Sequence, residues 1–307
     1  MALLPPQPFR LALLAPRYWS TWLVVAAMWL IARLPYRQLL GFGRALGAVA
    51  ARVMVRRRHV AERNLDLCLP ELDPVARVRL LEANLRELGL LACESALGLM
   101  GSKRALRRIP IEFEGTEQLD ALRTQGRGVL LLGAHFSHLE LAGRVLAERV
   151  PLACLYPEHA NAALVWVIKR RRLRYGEAMF SRDQTRALIK YLKSGGVILY
   201  GADHGAKGKT SVFVPFFGVP AATVTATHHL ARLAGVAVIP FFQKRREGGG
   251  YVFRMEAPLA DFPSADPVAD AARVNLLMER MVREAPAQYL WSYKRFKERP
   301  PGAASVY

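Results

Sequence analysis

At 307 residues, 52% of them hydrophobic, the chain has ample apolar material for a large core and is excluded from the disordered class. Forty-four Lys and Arg against 25 Asp and Glu give a formal net charge of +19. That balance favours a polyanionic partner without choosing among nucleic acid, anionic lipid and an acidic carrier protein. Three cysteines, Cys68, Cys93 and Cys154, are odd in number and far apart, which argues against a disulfide framework and for reduced thiols.

The charge is unevenly placed: residues 1–60 hold nine arginines and no Asp or Glu. Between Arg17 and Arg33 runs Tyr18–Ala32, 15 uncharged residues with three tryptophans. This is shorter than the roughly 18–20 residues of a comfortable membrane span. Aromatic residues inside basic flanks nevertheless suit the headgroup level of a bilayer. The segment is expected to anchor the chain to a membrane, as a short tilted span or half-embedded. A buried core helix is the competing reading, and the lack of a small-x-small site after the run argues against a cleaved leader. Leu39–Val55, interrupted by Arg44 and Arg52 and closed by Arg56, Arg57 and Arg58, reads as an amphipathic helix beside it. Its GFGRALG follows no strand and lacks the spacing of a dinucleotide fingerprint. Over 59–100 the spacing of Leu80, Leu81, Leu85, Leu88 and Leu91 is helical.

From Ile111 the texture changes to short apolar runs beside glycine or proline, alternating with helical patterns. Strands are expected at Val129–Leu132, Leu152–Tyr156, Val197–Tyr200, Val236–Phe242 and Tyr251–Met255. Helices are expected at Leu139–Arg149, Ala162–Tyr175, Thr185–Ser194 and Val224–Ala234. The alternation predicts an α/β architecture with a largely parallel central sheet flanked by helices. The expected organisation is membrane-anchoring helices over 1–58, then a unit over 59–307 with a helical lead-in at 59–110 and an α/β core at 111–307.

The segment with most chemical content is Gly133-Ala134-His135-Phe136-Ser137-His138-Leu139-Glu140, directly after the apolar strand Val129–Leu132. A carboxylate five residues beyond a histidine, at a helix start, can hold one imidazole nitrogen while the other takes a proton from an incoming hydroxyl. His135 and Glu140 are therefore the candidate acyl-transfer dyad, although H-x-x-x-x-E alone arises often by chance.

With its companion motifs the chain resembles the lipid A biosynthesis acyltransferases, the lauroyl and myristoyl transferases of Gram-negative bacteria. Besides His135 and Glu140, the resemblance rests on Arg172-Leu173-Arg174-Tyr175-Gly176, Leu192-Lys193-Ser194-Gly195, Asp203-His204, Phe213 to Ala221, and the terminal Trp291-Ser292-Tyr293-Lys294-Arg295-Phe296-Lys297. It spans nearly the full length. It implies a glycerolipid-acyltransferase-like sheet fold with an N-terminal membrane helix, located at the bacterial inner membrane with the active site facing the cytoplasm. The donor would be acyl-acyl carrier protein, and the acceptor a hydroxyl on the acyl chains of a phosphorylated glucosamine disaccharide. By the same resemblance His135 is the general base, Glu140 orients it, and Arg172 and Asp203 are further essential residues, with Arg174 beside them in the substrate-binding set.

Chemistry suggests roles for these residues and bland alternatives. Arg172 suits a bidentate phosphate contact, or Lys169 to Arg174 is simply a basic helix face. Asp203 follows a strand's carboxyl end, where open α/β sheets place ligand-contacting groups; it could order Arg172 or a substrate hydroxyl, or mark only a turn. His138 with Asp203 or His204 could be imagined around a metal, but no H-E-x-x-H or cysteine pair supports one, so neither metal nor cofactor is expected. Glycerolipid acyltransferases carry F-P-E-G after their histidine motif; here Phe216 and Phe217 follow Pro215, which tells against simple glycerol phosphate acceptors. That phenylalanine pair suits a core better than an acyl pocket, and His228 and His229 should pack or cap. Expected partners are the carrier protein, a phosphorylated glycolipid and membrane lipids, not nucleic acid. Another lipid acceptor is the alternative substrate. A nonenzymatic basic membrane- or nucleic-acid-binding protein is the alternative class, and it leaves the motifs unexplained.

Overall fold

A computed structural model describes residues 8–156, 160–181, 183–205 and 210–307, so residues 1–7 of the expected anchoring segment lie outside the described residues. After two short 3-10 turns come α1 (Trp19–Ile31), α2 (Tyr36–Val53), α3 (Val55–Cys68), α4 (Pro74–Met100) and α5 (Lys103–Leu106). Then follow β1 (Ile111–Glu114), α6 (Thr116–Thr124), β2 (Val129–Gly133), α7 (Leu139–Leu146), β3 (Leu152–Leu155), α8 (Ala162–Arg172), β4 (Ala178–Phe180), α9 (Thr185–Lys193) and β5 (Val197–Gly201). The remainder is β6 (Ser211–Phe216), β7 (Val219–Val224), α10 (Ala226–Ala234), β8 (Ala237–Arg245), β9 (Tyr251–Met255) and α11 (Pro267–Glu284).

The predicted α/β class is observed. A seven-stranded sheet runs β1-β9-β8-β2-β5-β3-β4, parallel except at the β8–β9 pair. β2 lies at its centre and is buried along its length. Leu130 and Leu132 enter one apolar cluster with Leu65, Leu85 and Trp291, while Val129 and Leu131 enter another with Leu39, Leu40 and Leu141. Burial on both faces is why this strand reads as an unbroken apolar run rather than an alternation, and each buried leucine contributes about 1.5–3 kcal/mol.

Capping sets several helix starts. Asp73 accepts from Ala76 N at 2.9 Å with Pro74 in the first turn, and Asn161 accepts from Leu164 N at 3.0 Å. Each satisfies an amide that the helix leaves without a partner. Gly43 and Gly47 of GFGRALG serve packing: a Cβ on Gly47 of α2 would stand 2.0 Å from the Arg86 carbonyl of α4, so the two helix backbones can cross this closely only without a side chain there.

The uncharged run becomes α1, a helix of 13 residues. At about 1.5 Å per residue this is roughly 20 Å, against about 30 Å for a bilayer's hydrocarbon core. Trp19, Leu23, Val24, Trp29 and Leu30 are exposed on it, and Phe42, Leu46, Val49 and Val53 are exposed on α2. Among the described residues no single helix is long and apolar enough to cross a membrane, while α2 and α3, bent by 89° at Met54, satisfy the criterion together.

Phe213–Ala221 forms the body of a two-stranded hairpin, β6–β7, whose turn has Phe217 at φ 51° and Gly218 at φ 75°. Positive φ at both central residues is the turn whose twist matches the flanking strands. Phe216 and Phe217 are both buried, as a core reading requires.

Candidate active site

β2 and β5 pair in parallel with Gly133 opposite Gly201. His135 and Asp203 each stand two residues past these paired glycines, so the register alone brings them face to face across 68 residues of sequence. Asp203 Oδ1 lies 2.6 Å from His135 Nδ1, and Asp203 Oδ2 accepts the His135 backbone N–H at 3.1 Å. The carboxylate is fully buried, whereas the imidazole is 26% exposed. With Nδ1 committed to Asp203, Nε2 is the ring nitrogen left for a substrate.

The electrostatics of the pair are mutually reinforcing. Burial opposes charge on the imidazole, but the charge and hydrogen bond of Asp203 outweigh it and raise the His135 pKa above the ordinary imidazole value. Burial likewise opposes ionisation of Asp203, and the His135 interactions overcome it, holding the carboxyl well below the usual carboxylate range. The Tyr289 hydroxyl lies beside Asp203; burial and that charge push its pKa well above the tyrosine norm, so it stays protonated.

Glu140 stands elsewhere than the local spacing suggested. It begins α7, where a carboxylate complements the helix dipole, and it receives Arg172 Nε at 3.0 Å on Oε1 and Arg172 Nη2 on Oε2. The Tyr175 hydroxyl donates to Oε1 at 3.1 Å. The carboxylate orienting His135 is thus Asp203, and the fork of Arg172 assigned to a phosphate is occupied by Glu140. Asp203 in turn orders the imidazole rather than Arg172. The reason is topological: β5 inserts directly beside β2, which no local pattern announces. Burial would lower the Arg172 pKa, but Glu140 outweighs it and locks the guanidinium in its charged form. Arg174 is exposed beyond the end of α8, and Arg171, partly buried and crowded by Arg174 and Arg170, has its pKa lowered.

The loop bearing His135 is held from beneath by residues that, Trp291 apart, no sequence motif marks. Residues 286–291 run alongside it: Leu290 N donates to His135 O at 3.0 Å, Ser137 N donates to Gln288 O at 2.8 Å, and Phe136 bridges Tyr289. Two helix asparagines grip that strap. Asn84 Nδ2 donates to the Ala287 and Tyr289 carbonyls at 2.8 and 2.6 Å, and Asn64 Nδ2 to those of Trp291 and Tyr293 at 2.7 and 2.8 Å. Each amide substitutes for a neighbouring strand, satisfying alternate carbonyls of extended backbone.

Below the loop, Ser137 Oγ donates to Glu87 at 2.7 Å, and Arg245 pairs with both Glu87 and Glu94. Arg245 N and O each exchange a hydrogen bond with the Gln288 side chain, at 2.8 and 2.9 Å. Complete burial pushes the Glu94 pKa up to about 7 despite Arg245. His138 is fully buried among these groups, and burial together with Arg245 lowers its pKa to about 3, so it remains neutral and inaccessible. The terminal Arg295 is buried as well, donating to Ala222 O at 2.6 Å and Thr223 Oγ1 at 2.9 Å.

His135, Asp203 and His204 bring three potential ligand atoms within 4.8 Å of one another. The two imidazoles, however, are stacked with centroids 3.6 Å apart and planes 6° apart. Nitrogen lone pairs lie in the ring plane, so those of two parallel rings do not converge on one point, and the arrangement suits stacking rather than chelation.

The model of the family described as bacterial lipid A biosynthesis acyltransferase matches residues 7–298. A lipid A biosynthesis lauroyltransferase of Escherichia coli is 38% identical over 301 residues, covering 97% of this chain and 98% of that protein. A palmitoleoyltransferase of the same organism is 34% identical over 99% of both chains, and a myristoyltransferase 28% identical over 95% of this chain and 91% of that one. Among solved structures, the 1-acyl-sn-glycerophosphate acyltransferase of Thermotoga maritima aligns with a TM-score of 0.40 and 14% identity, over 77% of this chain and 98% of that chain.

Proposed function

The chain belongs to the bacterial lipid A biosynthesis acyltransferases, and from that premise we propose that it moves a fatty acyl group from acyl-acyl carrier protein to a hydroxyl of a lipid A precursor, with His135 as general base. The observation that carries the mechanism is the Asp203–His135 pair, whose imidazole is fixed at Nδ1 and reachable at its other edge. The acceptor hydroxyl donates to Nε2, and its oxygen attacks the thioester carbonyl as the proton passes to the imidazole. Asp203 stabilises the imidazolium. Collapse of the tetrahedral intermediate forms the ester and expels the carrier thiolate, which recovers the proton. Such a base contributes about a hundred- to ten-thousand-fold in rate.

Glu140 and Arg172 act at one remove, by tying the start of α7 to the end of α8. The arginines around 170–174 offer positive charge to the carrier's acidic surface or to acceptor phosphates. The exposed apolar residues of α1 and α2, set among Arg17, Arg33, Arg37, Arg44 and Arg52, suit the cytoplasmic face of an inner membrane, with the two helices seated at headgroup level.

The deciding experiment incubates purified protein with acyl carrier thioesters and a tetra-acylated, phosphorylated glucosamine disaccharide, and reads the penta-acylated product by mass spectrometry. Product from wild type and none from His135→Ala supports the reading. Turnover of a lysophospholipid or another glycolipid in place of the disaccharide overturns the acceptor assignment, and acyl-coenzyme A serving as well as the carrier thioester overturns the donor.

A further inference from the structure

The base is held by more than its carboxylate. A Cβ at Gly201 would stand 2.5 Å from His135 Cε1 and 2.9 Å from Nδ1, so the backbone of β5 abuts the ring where any side chain would displace it. One face of the ring carries His204, centroids 3.6 Å and planes 6° apart. The opposite face of His204 carries Tyr293, at 3.7 Å and 15°. Tyr293 is itself fixed at both ends: its hydroxyl donates to Gly205 O at 3.0 Å, and its carbonyl accepts from Asn64 at 2.8 Å. Nδ1, the Cε1 edge and one face are therefore each set by a different residue at the end of β5 and just beyond it, and the stack reaches from the base to the strap that α3 grips.

We propose that His204 and Tyr293 are positioning residues, acting together as a flat stack that fixes the tilt of the His135 ring and so aims Nε2 at the acceptor hydroxyl. His204 works here as a planar surface, neither a proton carrier nor a metal ligand. Proton transfer demands alignment of the base within roughly half an ångström and 10–20°, and a displacement of about 1 Å costs on the order of a hundredfold. Asp203 restrains one ring atom only; rotation about the Nδ1–Oδ1 contact is what the stack suppresses. This inference rests on His135 being the base.

Shape and chemistry separate in the variants His204→Phe, which keeps a flat ring and removes both nitrogens, and His204→Ala, which removes the ring. Steady-state acyl transfer in detergent should show His204→Phe within a few-fold of wild type. His204→Ala should lose about a hundredfold in kcat with unchanged KM for donor and acceptor. Tyr293→Phe should resemble wild type, and Tyr293→Leu should resemble His204→Ala. A readout independent of turnover is the downfield Nδ1 proton of His135 in NMR, expected sharp in wild type and His204→Phe and broadened in His204→Ala. His204→Phe as impaired as His204→Ala overturns the proposal, because the imidazole nitrogens would then matter. Wild-type kcat in a folded His204→Ala or Tyr293→Leu overturns it too. A sharp Nδ1 proton lost with the stack, in a protein that transfers no acyl group to any acceptor, would keep the positioning and sink the catalytic reading on which it rests.

Discussion

Among the described residues, two histidine–aspartate pairs have nearly equal geometry and opposite fates. His135 and Asp203 meet at 2.6 Å at the carboxyl ends of β2 and β5, with the imidazole 26% exposed. His228 and Asp270 meet at 2.7 Å between α10 and α11, with the side chains 2% and 0% exposed. Asp270 also accepts Ser264 N at 2.8 Å, closing the turn before α11. On the proposed reading, the same hydrogen bond prepares a base in one place, and it joins two helices in the other. What separates them is access: an imidazole can accept a substrate's proton only where its second nitrogen can be reached.

Substitutions can break or sharpen this contrast. The largest expected effect is His135→Ala, which should lower kcat per folded molecule by about a thousandfold or more; it also leaves the buried Asp203 without its imidazole, so a thermal melt beside the acyl-transfer kinetics should show a loss of stability as well. Asp203→Asn should cost about a hundredfold and also move the pH profile. A base must be neutral to act, and Asp203 raises the His135 pKa, so wild-type activity climbs with pH through a value above the ordinary imidazole one. Without that charge the acid limb should shift to lower pH. A limb that stays in place would mean that another group sets it.

The sealed pair should respond in stability alone. His228→Ala leaves Asp270 buried without its imidazole and should destabilise the fold by about 3–5 kcal/mol, visible in a denaturant titration, with kcat per folded molecule unchanged. The smallest effect is expected at the partly exposed Glu140–Arg172 pair. There Arg172→Ala should cost about 2 kcal/mol, below the about 3–5 kcal/mol of a fully buried pair. Glu140→Gln should be milder in stability, since the amide keeps the shape and one acceptor.

Much of the fold could be read in advance because its signals are local. Val129–Leu132 is an unbroken apolar run ended by Gly133, and a central parallel strand needs nothing more. The position of the proposed base is equally legible, since His135 follows that strand at once. Its partner is not. Glu140 was the nearer carboxylate in sequence and Asp203 the nearer in space, because β3, α8, β4 and α9 intervene before β5 returns to lie beside β2. Nothing in the residues of β5 states which neighbour it will choose. Asn64 and Asn84 were invisible for another reason: they sit among apolar helix positions, and their role exists only once an extended segment lies within reach. The terminal Trp291-Ser292-Tyr293 motif is legible as a pattern, and its physical content is the strap behind the His135 loop.

That strap has a consequence for the order of events during synthesis. Every strand of the central sheet is translated before residues 286–293, so the scaffold and both members of the dyad can be in place while the backing of the His135 loop is still missing. A nascent chain carrying a finished sheet would own the reactive groups without the means to aim them. On the proposed reading, competence would await the docking of residues 286–293 behind the His135 loop, and until then the imidazole would be a loose and unproductive base.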